Sequence, residues 1–85
     1  MSIAEDRARI DAIDERLAAL FEERLAIAAR IGASKREKGL PVADAGREQA
    51  ILTRLCTGRD AQTAEDLRAL YAVIFARARA RQDGD

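Results

Sequence analysis

The chain has 85 residues, enough for one domain at most. Fifteen Lys and Arg balance fifteen Asp and Glu, and the zero net charge argues against a general polyanion binder, which carries a basic excess. The absence of His excludes a His-based triad, proton shuttle or metal ligand, and the single Cys excludes an internal disulfide and a multi-Cys zinc site. Hydrophobic residues at 48% and charged residues at 35% give a globular rather than a disordered composition. No apolar run approaches the ~20 residues of a membrane span. The acidic start, Met1 to Asp6, lacks the basic and apolar regions of a signal peptide, so a cytoplasmic protein is the expectation. With 19 Ala against 2 Val and 1 Pro, the chain is dominated by strong helix formers and reads as all-α over a single domain, residues 1–85.

A first helix opens with the capping-box pattern Ser2-Ile3-Ala4-Glu5. Its apolar stripe is Ile10, Ile13, Leu17, Leu20, Ile27 and Ile31, with Arg24 where the next apolar residue belongs. Gly32 costs about 1 kcal/mol against Ala without stopping the helix. The helix is therefore predicted from Ile3 to about Lys38, before Gly39-Leu40-Pro41. A second helix is capped by Asp44, carries Glu48, Ile51, Leu52 and Leu55 on one face, and ends near Gly58. A third starts at Thr63, with Asp66 three residues on, and places Leu67, Leu70/Tyr71, Ile74/Phe75, Ala78 and Gln82 on its stripe.

A helix of about 36 residues spans roughly 54 Å. A compact domain of this size has a radius of gyration near ~12 Å and a diameter of about 30 Å. The two shorter helices cannot cover both ends of the first, and Ile10, Ile13 and Leu17 remain uncovered. A homodimer with each long helix lying across the other subunit is the economical solution. The alternative is a monomer whose first helix breaks near Gly32.

Four polar residues lie on or beside these stripes: Arg24, Lys35, Glu48 and Gln82. Arg24 and Lys35 are eleven positions apart, which at ~100° per residue returns to nearly the same face about 16 Å along the axis. Long cations so placed can hold a small anion between them. Singly, each has an ordinary explanation: Arg24 as a snorkelling edge residue, Lys35 and Glu48 as complements to helix dipoles, Gln82 as a surface residue at a fraying end. Together on inward faces they define a candidate polar pocket, flanked by Asp44 and Arg47. Cys56 has no activating partner and reads as a small core residue. Arg77, Arg79 and Arg81 alternate around the third helix and read as a solvated face. The long first helix and zero net charge argue against a DNA-binding helix-turn-helix, so no nucleic-acid partner is expected.

These residues fall into a recognisable string: Arg7-x-x-Ile10-Asp11-x-Ile13-Asp14, Leu17, Glu23-Arg24, Ile31-Gly32-x-x-Lys35, Pro41-Val42-x-Asp44-x-x-Arg47-Glu48 and Gln82. It resembles the AroQ-type, all-helical chorismate mutases over nearly the whole chain. The segment joining the second and third helices is slightly short for that pattern. The resemblance implies an intertwined dimer of three-helix chains that rearranges chorismate to prephenate, on the route to phenylalanine and tyrosine. It implies no cofactor, metal or covalent intermediate, no membrane partner, and active sites shared between the two subunits.

By the same resemblance, Arg24 and Arg7 bind the two substrate carboxylates, Arg7 coming from the partner subunit. Lys35 bridges a carboxylate and the ether oxygen, and Gln82 donates to that oxygen. Glu48 holds the ring hydroxyl, while Asp44 and Arg47 shape the pocket. Many relatives carry Ser where this chain has Ala78, which removes a hydroxyl from the substrate-binding set. The third helix is expected to end within three residues past Gln82, so a loosely held donor is expected there. Isochorismate pyruvate lyase shares the fold and a similar anion pocket, although the Gly39-Leu40-Pro41-Val42-Ala43-Asp44 loop favours the mutase. A catalytically silent helical dimer, serving as a regulatory or assembly module, is the rival of a different kind.

Overall fold

The computed structural model describes residues 2–84 as three helices. They are α1 (Ile3–Glu37), α2 (Ala45–Cys56) and α3 (Ala61–Gln82). Ser2 caps α1 by accepting the Glu5 N–H at 3.0 Å, and the helix runs unbroken through Gly32. It ends where the sequence changes character. Gly39 takes φ 70°, the Leu40 N–H bonds the Lys35 carbonyl at 2.8 Å, and the Gly39 N–H bonds the Arg36 carbonyl at 3.1 Å. This paired closure satisfies carbonyls that the helix leaves open, and glycine takes the left-handed position without steric cost. A six-residue stretch then leads to Asp44, which caps α2 by accepting the Arg47 N–H at 2.9 Å.

The third helix begins two residues earlier than Thr63. Asp60, not Thr63, is the cap: its Oδ1 accepts the Thr63 N–H and its Oδ2 accepts the Thr63 hydroxyl, both at 2.8 Å. Asp outcompetes Thr because its two oxygens satisfy both Thr63 donors at once, leaving Thr63 inside the first turn.

Helix α3 packs against both α1 and α2 and so forms the centre of the arrangement. The molecule measures 55 × 26 × 15 Å with a radius of gyration of 16.0 Å, against about 12 Å for a compact chain of this length. The long dimension is α1 itself. Every residue from 2 to 20 is exposed, including Ile10 at 55% and Leu17 at 56%. The expected stripe on α1 is present but uncovered over this half. Buried hydrophobic residues are confined to Ala28, Ile51, Ala64, Phe75 and Ala78, where α3 packs against the far half of α1 and against α2. Total accessible surface is 6616 Å², about 1,600 Å² beyond what a compact protein of this mass exposes. Among the described residues, no helix is long and apolar enough to cross a membrane.

Candidate active site

The packed end of the molecule forms an open cavity of about 460 Å³. Arg24, Lys35, Asp44, Arg47, Glu48, Ala78 and Gln82 all line it. Its apolar wall comes from Ile27, Ala28, Ile31, Val42, Ile51 and Phe75. The three helices and the loop after α1 thus bring residues from 24 to 82 to one cavity, where the sequence reading expected a shared polar pocket. Arg7 is the exception: it lies on the exposed half of α1 and is not part of this wall.

Several of the polar groups have partners in the fold. The Arg24 guanidinium carbon lies 5.8 Å from the Tyr71 ring centroid and 5.7 Å from that of Phe75. The two rings meet edge to face at 5.5 Å, so α3 presents an aromatic shelf on which a cation is favoured. Lys35, in the last turn of α1, donates from Nζ to the Val42 carbonyl at 3.2 Å. That bond ties the loop to the helix and leaves the ammonium with further donors. Asp44 Oδ1 is engaged by the α2 cap.

Glu48 shows what the sequence pattern missed. Both of its oxygens accept from Arg79 Nη1, at 2.8 and 2.7 Å, in the one ion pair among the described residues. Arg77, Arg79 and Arg81 are all exposed, as a solvated face requires, but Arg79 also pairs with Glu48, which lines the cavity. The partners are 31 positions apart, so no local pattern reveals the pair. The available signal was that Arg79 stands three residues before Gln82, on neighbouring helical positions.

The backbone of Gln82 is held at the end of α3. The Arg36 guanidinium donates to its backbone carbonyl, completing the C-terminus of α3. Gly32 lies directly beneath: a Cβ there would stand 2.5 Å from the Gln82 Cα and 2.8 Å from its carbonyl carbon. Glycine at 32 therefore permits the close crossing of α1 and α3 that sets Gln82 at the cavity.

Cations outnumber carboxylates in the wall, three to two, and both carboxylates are already engaged. An apolar wall with three cations beside two engaged acids suits a small anionic ligand. This is the architecture of an all-helical, small-molecule site. The sequence model describing chorismate mutase type II matches residues 6–83. The chain belongs to that family. Its structure is similar to that of a conserved hypothetical protein from Pyrococcus furiosus, at 31% identity and a TM-score of 0.75, covering 96% of this chain and 99% of the other. Comparison with curated proteins gave no match.

Proposed function

We propose that this single-domain chain is a cytoplasmic chorismate mutase, acting as a homodimer with shared sites. The observation that carries the reading is the gathering of Arg24, Lys35, Asp44, Arg47, Glu48, Ala78 and Gln82 around one cavity. These are the positions, Arg7 apart, that the family resemblance assigns to the substrate.

The reaction breaks the ether C–O bond of chorismate while a new C–C bond forms between the methylene of its enolpyruvyl side chain and the ring carbon that carries the carboxylate. Electrons move in a ring, so no proton transfer, cofactor or covalent intermediate is required. The enzyme has two tasks. It folds a flexible dicarboxylate into a compact chair, and it stabilises negative charge growing on the ether oxygen. Arg24, braced on Tyr71 and Phe75, takes one carboxylate through a planar fork. Lys35 and Gln82 direct donors at the ether oxygen, Glu48 accepts from the ring hydroxyl, and Asp44 and Arg47 shape the wall at the start of α2.

The second carboxylate falls to Arg7 of the partner subunit. Arg7 and Arg24 are 17 positions apart, roughly 25 Å along a continuous helix, so one α1 cannot bring both to one small molecule. A second copy also gives the bare half of α1 something to cover. The excess surface of about 1,600 Å² per chain falls within the range of an obligate homodimer interface. Sedimentation at micromolar concentration is expected to give a dimer.

The activity test is chorismate consumption with product identification. Prephenate is the expected product. Pyruvate release from isochorismate with no prephenate from chorismate would move the protein to the lyase reading, and inertness to both would leave a non-catalytic module.

A further inference from the structure

We propose that Arg79 is a positioning residue of this site, holding Glu48 against α3 so that its carboxylate receives the substrate hydroxyl and does not neutralise the cations that bind the substrate. The inference rests on the mutase reading above and extends it to a residue outside the motif that the resemblance supplied.

The cavity's charge arrangement carries the argument. Arg24, Lys35 and Arg47 share the wall with Asp44 and Glu48. A flexible carboxylate in such a site is drawn to the nearest cation, and each pairing so made removes a donor from an incoming dianion. Asp44 is restrained by its capping bond to the Arg47 N–H. Glu48, in the first turn of α2, has no such bond and reaches out with a longer side chain. Its restraint is Arg79, whose Nη1 lies 2.8 Å from one carboxylate oxygen and 2.7 Å from the other. The Glu48 side chain is about one quarter exposed and that of Arg79 about one half, so Glu48 lines the cavity while Arg79 holds it from the solvent side. One guanidinium nitrogen serves both oxygens, so each oxygen retains acceptor capacity for a hydroxyl. Lys35 meanwhile donates to the Val42 carbonyl rather than to Glu48. Held in this way, Glu48 is an oriented acceptor and the other cations stay available.

Steady-state kinetics on the full-length protein tests the role, with Arg79→Met keeping the aliphatic stem and Arg79→Lys keeping the charge. Arg79→Met is expected to raise KM for chorismate about fivefold, the upper end for a partly exposed ion pair, with a smaller change in kcat. Arg79→Lys should recover most of that loss. In a Glu48→Gln background, Arg79→Met should add no further loss, because the carboxylate it restrains is gone. Wild-type kinetic constants in Arg79→Met overturn the positioning role and leave the mutase reading intact. An equal loss with and without Glu48→Gln also overturns it, since Arg79 would then act through another group. A wild-type protein that does not convert chorismate overturns the mutase reading, and this inference with it.

Discussion

Lys35 and Gln82 separate from the rest of the cavity wall because the charge they are assigned to meet exists only in the transition state. Substituting either with Ala should therefore lower kcat more than it raises KM. The expected loss is ~2.7–4 kcal/mol, or 100-fold and more in rate, read directly from steady-state kinetics. An unchanged kcat in Lys35→Ala removes that residue from the chemistry. Ala78 is the complementary case. It is buried in the cavity wall, and a hydroxyl there would face the ligand. Ala78→Ser should lower KM by up to about fivefold, equivalent to ~1 kcal/mol of neutral hydrogen bonding, and an unchanged or raised KM would show that the hydroxyl has no carboxylate to reach. At this scale the polar lining of the candidate cavity was largely legible, because Arg24, Lys35, Glu48 and Gln82 each lie on or beside an apolar stripe. Arg79 was not, because a charge among alternating charges looks solvated until the fold brings a distant carboxylate to it.

Among the elements, α1 and the start of α2 were readable from their end signals, Ser2, Gly39 and Asp44, whose bonds are local in sequence. The start of α3 was not, because Asp60 and Thr63 are both competent caps and the choice depends on which side chain reaches which amide. The Thr63 N–H, with the Thr63 hydroxyl adding to it, holds the Asp60 carboxyl below its ordinary range. A carboxyl lowered on folding stabilises the protein above its unfolded pKa, near ~3.9, and that contribution is lost as pH falls through the lower folded value. Thermal melts at pH 7 and pH 3 should show Asp60→Asn losing less stability on acidification than the wild type does; equal losses would deny Asp60 the acid-sensitive part. Gly32 offers a test with opposed signs. Helix propensity alone makes Gly32→Ala stabilising by up to ~1 kcal/mol. The new methyl would collide with the backbone of Gln82, and forced overpacking costs about 1–3 kcal/mol. Urea unfolding should therefore find the variant destabilised, with kcat reduced as the end of α3 shifts; a more stable variant would mean that the two helices do not cross so closely.

For the whole molecule, length was the decisive quantity. A 35-residue helix in an 85-residue chain exceeds any compact diameter available to it, and the 55 Å long axis follows from that alone. Burial of a few residues at one end and exposure of Ile10, Ile13, Leu17 and Leu20 at the other follow as well. What covers that exposed half was inferred from economy rather than read from any residue. The central claim is that a second copy covers it and brings Arg7 of the partner subunit to the cavity. Subunit exchange between Arg7→Ala and Lys35→Ala homodimers tests it most directly. Every hybrid dimer would hold one doubly defective site and one site with all its residues native. With random mixing half of the dimers are hybrids, so about a quarter of the wild-type activity should appear, rising at the rate of exchange followed by mass spectrometry. Complete exchange with no activity regained would contradict the shared site.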